Sequence, residues 1–328
     1  MTIQVELVEE AGRLRAIEPA WRDLWARARH ATPFQSPLWL IPWWDRFHPG
    51  ALLTAAAWRG ERLVGLAPCY LENGAYGRRI LPLGISVSDY LDVLLDADEP
   101  EAGAALVRCF AGLRARWDVW ELEELAPGAN ALGLPAPAGV QDHVFAQSAC
   151  PVLALAGNLS AVPKAKLRKL RMARHRAERR GGEVVRVGAD DLDEFVAELA
   201  RLHGLRWRSR GEAGLLTDER LGLFLGDTVR GLAAAGLARL AALRVGGRVV
   251  GAYYGLHHGA RAYAYFGGFD PDHAYESPGT VLLGHAIEEA AAEGAAEFHL
   301  LRGREAYKYE WGAVDRWNQH RRFVNDGG

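Results

Sequence analysis

The sequence predicts an α+β fold used twice: two domains in tandem, each a mixed, mostly antiparallel sheet flanked by helices. Three observations predict it. The chain has 328 residues, more than a single ordinary core accommodates. Its hydrophobic period switches between two and about 3.6 along both halves. And one segment recurs: AAAWRGERLVGLAPCYL at 55–71 resembles AALRVGGRVVGAYYGLH at 241–257. Both read strand, Gly turn, Arg, two apolar residues, Gly, strand. The expected domains are 1–157 and 158–328.

In the first half, an alternating segment near Val5–Val8 reads as a strand. A helical period follows from Ile17 to Arg29, with Trp21 and Trp25 on one face. FQSPLWLIPWWDRF (34–47) starts a helix at Ser36-Pro37, a cap followed by proline at the first helical position. Trp39, Trp43 and Phe47 give it one aromatic face. Leu52–Leu71 reads as a hairpin turning at Arg59-Gly60-Glu61. A strand near Ile80–Leu83, the segment SVSDYLDVLLD (86–96), a helix over 100–115 and the strand WDVWELEEL follow. After a Pro/Gly/Ala-rich loop (126–139), CPVLAL (150–155) closes the half.

The second half opens on the most charged stretch. Lys164–Arg180 holds nine Lys or Arg and one Glu, reads as a helix, and ends at Gly181-Gly182. A strand (183–187) and helices over 191–205 and 218–234 follow. Strands are expected at 238–245, 248–257 and 261–269. SPGT (277–280) opens an alanine-rich helix to about 293. A strand at 297–301 precedes REAYKYEWG, where a strand would put Tyr307, Tyr309 and Trp311 on one face.

Composition bounds the function. Half the residues are apolar (49%) and a quarter charged (24%), with 11 Trp, which excludes disorder as the main state. No apolar run is long enough for a membrane span. The acidic, alternating MTIQVELVEE is not a signal peptide. Three scattered cysteines without CxxC argue against a disulfide scaffold or zinc module, so no metal is expected and a cytoplasmic setting is. P-loop, GxGxxG, GxSxG and HExxH motifs are all missing, so nucleotide hydrolysis, dinucleotide redox chemistry and zinc proteolysis find no support. Only four of the 39 basic residues are lysine: Lys164, Lys166, Lys169 and Lys308.

Five constellations could carry chemistry. FGGFDPDHAYESPGT (266–280) runs from a strand end to a helix start, whose free N–H groups suit an anion or merely cap a helix. LLRGREAYKYEWG places Arg302, Arg304 and Lys308 beyond a strand end, where α/β ligand sites gather. LHGLRWRSRGEAG sets His203, Arg206, Trp207 and Arg210 at helical spacing, fit for an anionic or planar ligand or for a solvated helix end. SVSDYLD offers Asp89, Tyr90 and Asp92, a carboxylate beside a phenol. The basic run suits a phosphate-rich partner or a solvated face.

Taken together and in this order, FQSPLWLIPWW, SDYLD, KLRKLRMARHRAERRGG, LHGLRWRSRGEAG, YFGGFDPDHAYESPGT and FHLLRGREAYKYEWG resemble the GNAT-fold acetyltransferase family of the CelD/BcsL type. That type is associated with cellulose and exopolysaccharide biosynthesis and is related in fold to Fem-type aminoacyltransferases with two GNAT-like domains. The match is strongest over about 160–312. The resemblance implies an N-acyltransferase moving an acyl group from acetyl-CoA or another acyl-CoA to an amine. The acceptor it suggests is a small molecule or glycan precursor such as a sugar amine.

By the same resemblance the donor would lie on Phe266, Gly267, Gly268 and Phe269 and on Ser277, Pro278, Gly279 and Thr280. Asp89 or His203 would act as base, and Lys308 and Tyr90 as electrostatic stabilisers. Arg206, Trp207, Arg210, Arg302 and Tyr307 would bind the substrate. The family's pyrophosphate loop (Arg or Gln, two residues, Gly, any residue, Gly or Ala) is replaced here by AYESPGT. That departure keeps two alternatives open: an aminoacyl-tRNA donor contacted by the basic helix, and a non-catalytic receptor for an anionic ligand.

Overall fold

The structure, a computed structural model, describes residues 2–208, 211, 214 and 218–325. In chain order the elements are β1 (Gln4–Val8), α1 (Ala11–Ala16), α2 (Glu18–Arg27), α3 (Pro37–Phe47), β2 (Ala51–Leu52), β3 (Thr54–Arg59), β4 (Arg62–Ala67), β5 (Cys69–Gly74), β6 (Gly77–Pro82), β7 (Leu94–Leu95), α4 (Ala102–Gly112), β8 (Val119–Leu125) and β9 (Val140–Ala154). Then come α5 (Lys164–Glu178), β10 (Gly182–Arg186), α6 (Leu192–Arg208), α7 (Glu219–Ala234), β11 (Ala238–Val245), β12 (Arg248–His258), β13 (Arg261–Phe269), α8 (Pro278–Ala292), β14 (Glu297–His299), α9 (Ala306–Glu310) and β15 (Val314–Asn325). Among the described residues no helix is long and apolar enough to cross a membrane.

The chain divides into two units, Met1–Ser148 with Arg316–Gly328, and Ala149–Asp315. The division expected after residue 157 therefore falls earlier, inside β9. The C-terminal segment, expected in the second domain, belongs to the first unit. Phe323 explains why: it is fully buried in that unit's core, 5.3 Å from Trp120, and β15 pairs antiparallel with β8.

In the first unit, Trp21 and Trp25 lie buried at their four-residue spacing. Their indole N–H groups donate to the carbonyls of Gln35 (3.0 Å) and Thr32 (2.7 Å). They thereby hold the single 3-10 turn Pro33–Gln35, which Thr32 and Gln35 close as a capping box. α3 then begins at Pro37, where the Ser36-Pro37 signal put its start. β1, β3, β4 and β7 form one antiparallel sheet, and β5–β6–β8–β15 pair alongside β2. SVSDYLDVLLD is strand only at Leu94–Leu95.

In the second unit β10 to β13 run antiparallel in order, and β14 joins β13 in parallel. α8 packs on one face of this sheet, with Val281, Leu282 and Ile287 buried beside Val250 and Phe298. α5 lays Leu170, Ala173 and Ala177 against the same core. Leu170 enters at Gly284, where an added Cβ would come within 2.4 Å of its side chain.

The repeat seen in the sequence is a repeat in structure, down to its irregularity. The β3–β4 register slips between Ala57 and Trp58, and the β11–β12 register slips at the equivalent Leu243/Arg244. The extra residue lies on the second strand in each case, Val64 and Val250, and Gly65 and Gly251 directly follow it. Gly65 packs on Ala102 and Leu106 of α4, and Gly251 on Pro278 and Leu282 of α8. The partner strands differ. β4 pairs with the two-residue β7, whereas β12 pairs with the nine-residue β13.

Candidate active site

The site begins with β13. Its register against β12 shifts, with Tyr254 opposite Phe266 but Gly255 opposite Ala264, so Tyr265 is an extra, bulged residue. A bulge interrupts the ladder and re-aims backbone groups. On its other edge β13 pairs with β14 only through Arg261, Ala262 and Tyr263. Past His299 the chain turns away, and the Leu300 N–H donates to the Pro151 carbonyl. Two parallel strands that start together thus part beside the bulge. The gap opens at their carboxyl ends, where ligands bind in sheets of this kind.

α6 crosses this strand at contact distance. An added Cβ at Gly268 would lie 2.5 Å from the His203 nitrogen and 2.7 Å from the Leu202 carbonyl carbon. Only glycine permits that approach. His203 is buried and its ring stacks on Phe266, with centroids 4.5 Å apart. Burial, aided by the nearby Arg206, pushes its pKa down to about 4 against a hydrogen bond with the Gly267 backbone. A neutral imidazole this weakly basic packs α6 onto β13 and is a poor proton acceptor at pH 7, contrary to the role expected for it as base. Arg206 lies over the Phe269 ring at 5.2 Å. Trp207 belongs to α6, but its side chain, like Arg210, lies outside the described residues.

α8 supplies a helix N-terminus beside the strand end. Ser277, its N-cap, is left-handed (φ 52°) and takes a hydrogen bond from Arg176 Nη2 at 3.1 Å. Pro278 has no N–H. Thr280 and Val281 donate to the Ser277 carbonyl, at 2.9 and 3.1 Å. Gly279, against the Phe269 ring, carries the first-turn N–H left without a carbonyl partner among the described residues. Glu276, fully buried, sits 2.9 Å from Arg180 Nε and offsets that charge. The guanidinium groups of Arg176 and Arg180 both lie over the exposed Tyr275 ring.

Beyond β14 the sequence expectation fails. AYKYE is not a strand but the short helix α9, so Tyr307 and Lys308 diverge. Lys308 is 2% exposed. Its Nζ donates to the carbonyls of Leu301 (3.0 Å), Arg302 (2.6 Å) and Gly303 (3.2 Å), and Glu305 Oε2 lies 3.0 Å away. The expected stabiliser of a reaction is instead the pin of a loop. Leu301 has φ 60° and Gly303 φ 109°, and wrapping the carbonyls around one ammonium holds this left-handed turn. Arg302 is half-buried in that loop.

Tyr307 is exposed at its ring edge on α9, although its phenol end is partly desolvated. Burial and the Glu305 charge raise its phenol pKa, with Arg206 pulling the other way. Its charge is felt in turn by Tyr253 of β12, a buried phenol whose pKa burial also raises. Tyr253 lies along its own strand: a Cβ at Gly255 would meet its hydroxyl at 2.4 Å. Sequence reading missed Tyr253. The available signal was the paired glycines in GAYYG, which leave room on one face of a strand.

The structure thus gathers His203, Arg206, Phe266–Phe269, Ser277–Thr280, Arg302, Tyr307 and Lys308 in the second unit. Asp89 and Tyr90 belong to the first. Tyr90 is buried, edge-on to Phe34, and its carbonyl takes the Gln35 side-chain N–H at 2.7 Å. It is a core residue, not a phenol presented to substrate. The Asp89 carbonyl takes the Asn318 amide at 2.9 Å. Asp92 accepts the backbone N–H groups of Val93, Asn130 and Ala131, each at 2.8 Å, and anchors a loop. No group of His, Cys, Asp and Glu among the described residues could hold a metal ion.

No curated protein matches the chain. The family profile described as "Acetyltransferase (GNAT) domain" matches residues 164–309. Among solved structures the chain is similar to FemX, at 12% identity and TM-score 0.66, over 98% of this chain and 97% of that one. It is also similar to the C-terminal domain of a putative lysylphosphatidylglycerol synthetase from Agrobacterium fabrum (14%, TM-score 0.60, 96% and 93% covered). A tandem GNAT protein from the clavulanic acid biosynthesis pathway aligns at 18% identity and TM-score 0.50, over 98% of each chain. These likenesses carry the tandem fold. The bulged, parting strands of the second unit thus lie within the stretch that the acetyltransferase profile matches, and the protein is an acyltransferase.

Proposed function

We propose that the protein is an N-acyltransferase taking its acyl group from acetyl-CoA or another acyl-CoA and passing it to an amine. The observation that carries this reading is the parting of β13 from β14 beside the Tyr265 bulge, with the first turn of α8 nearby. A thioester arm fits along an open strand edge, where backbone groups can hold its amides. Phosphate at its far end would meet the Gly279 N–H, the α8 dipole and Arg176.

The acceptor amine, deprotonated, attacks the thioester carbonyl. Backbone N–H groups freed at the bulge receive the developing oxyanion, and the tetrahedral intermediate collapses with loss of the thiolate. Tyr307, kept protonated by its raised pKa, donates its proton to that sulfur. Arg206 restrains the phenolate that results until it takes the proton shed by the new amide nitrogen, which restores the phenol. Arg302 stands at the loop beyond β14 as a candidate contact for an anionic acceptor.

The finer reading is an acceptor from exopolysaccharide or cell-envelope metabolism, such as a sugar amine. Supporting it are the resemblance to the CelD/BcsL type and the likeness to FemX and a lysylphosphatidylglycerol synthetase. Cysteines that are not joined as disulfides suit the reducing cytoplasm, where acyl-CoA is made. The test is thermal unfolding with and without acetyl-CoA, followed by thiol release with a panel of amines and amino sugars. A ligand bound only by the folded state raises the melting temperature. No shift and no amine-dependent thiol release would sink the reading.

A further inference from the structure

α5 is two-faced. Toward the core it buries Lys166, Leu170, Ala173 and Ala177. Four of its cations are neutralised locally: Lys166 and Lys169 by Glu310, Arg174 by Glu288, and Arg180, just past its end, by Glu276. The opposite face carries Lys164, Arg168, Arg171, His175 and Arg179, all exposed and separated by four-, three-, four- and four-residue steps. Such steps put them on one stripe about 22 Å long. Its single acid, Glu178, is 3.2 Å from His175. Lys164, Arg168, Arg171 and Arg179 have no ion-pair partner among the described residues. The chain as a whole has net charge -2, so this is a local cationic surface on an acidic protein.

Two features say what it meets. Met172, the only methionine after residue 1, flanks the stripe at mid-length, between Arg168 and His175 on one side and Lys169 and Arg176 on the other, and is 55% exposed. An exposed thioether ringed by cations is the make-up of a protein interface, with an apolar anchor and a charged rim. A sugar-phosphate backbone has no apolar group to match it, and α5 exposes no Phe, Tyr or Trp on which bases would stack. A bilayer surface is disfavoured too, because the apolar face of α5 is turned into the core. The second feature is direction. The stripe ends at the C-terminus of α5, where Arg176 holds Ser277 at the first turn of α8, the place given above to the donor's phosphate.

We infer that the α5 stripe docks an acidic helical carrier protein bearing the acyl group as a thioester on a phosphopantetheine arm. This rests on the thioester reading of the β13–β14 gap. The arm is the part such a carrier shares with coenzyme A, so one gap would serve both. What the stripe adds is recognition of the protein at the arm's other end. Acidic residues one helical turn apart would meet cations spaced in the same way, and Met172 would fill an apolar slot between them.

The test is binding of an acetylated acyl carrier protein to the full chain, by fluorescence anisotropy at low salt. The triple variant Lys164→Glu, Arg168→Glu, Arg171→Glu changes only exposed side chains, so the fold is retained. The carrier's affinity should fall at least 30-fold in that variant and about 10-fold in wild type between 50 and 300 mM salt. Met172→Glu alone should weaken binding several-fold. The melting shift produced by acetyl-CoA should be the same in wild type and triple variant. The inference is overturned if wild type does not bind the carrier, if the triple variant binds it equally well, or if deacylated tRNA binds more tightly through the same three residues. Loss of the acetyl-CoA shift in wild type, with carrier binding intact, overturns the CoA reading and leaves the docking surface standing.

Discussion

Gly65 and Gly251 hold the same place in the two halves: each follows the bulged residue of its own strand, and each touches the first turns of the next helix. The contacts differ in tightness. A Cβ at Gly65 would meet Ala57 and Ala102 at 3.3 Å, but one at Gly251 would meet Leu282 at 2.9 Å and the Pro278 ring at 3.0 Å. Gly251→Ala should therefore cost about 1–3 kcal/mol as overpacking, and Gly65→Ala less than about 1 kcal/mol. Urea denaturation of the two variants decides the order. The reverse order would mean that α8 yields more easily than its contacts indicate.

Lys308 has become a stability residue. Lys308→Met keeps the bulk but leaves the carbonyls of Leu301, Arg302 and Gly303 buried without a donor. The expected loss is about 3–5 kcal/mol, the range for removing one partner from a buried charged network. Lys308→Arg should also lower the melting temperature, since a planar fork cannot point at three convergent oxygens. A melting temperature within a degree of wild type in both variants would return Lys308 to the list of reactive groups.

For Tyr307 the expectation is a split between turnover and binding. Tyr307→Phe removes only the proton donor, so turnover should drop about 100-fold while acetyl-CoA still raises the melting temperature as in wild type. Equal turnover in the variant would show that another group, or water, protonates the leaving sulfur.

His203 gives a pH signature. Its pKa is about 4 in the fold against the ordinary 6.5, so the unfolded chain binds the proton first as pH falls. Its contribution is thus fully present above pH 6.5 and is lost as pH falls toward 4. His203→Phe should flatten part of the decline in urea midpoint between pH 7 and 5. His258, whose pKa burial also lowers to about 4, would keep a share of the decline in both proteins. Parallel pH profiles would contradict the burial of the imidazole.

The strands of the second unit were legible because their signals are local. Gly246-Gly247 and Gly259 mark turns between apolar runs, and β11, β12 and β13 begin where those signals put them. α5 and α8 were legible from a charged period and from Ser-Pro-Gly. Alternation misled at AYKYE, because the helix there is set by three carbonyls closing on Lys308, a contact that periodicity does not encode. Asp89, Tyr90 and Asp92 had the composition of a site. Only the backbone N–H groups meeting Asp92 and the Gln35 amide at Tyr90 reveal a built loop. The bulge at Tyr265 left no mark in composition either, because it is a relation between two strands.

The last strand bears on how the chain comes to be folded at all. β15 starts at Val314, and Phe323 completes a core whose other members were synthesised some two hundred residues earlier. A ribosome releases the whole second unit before it releases that phenylalanine. The N-terminal unit must therefore wait, with Trp120 and Phe110 uncovered, until its neighbour has emerged. Order of synthesis and order of completion are reversed, and a stalled or clipped chain would carry a finished second unit on an unfinished, aggregation-prone first one.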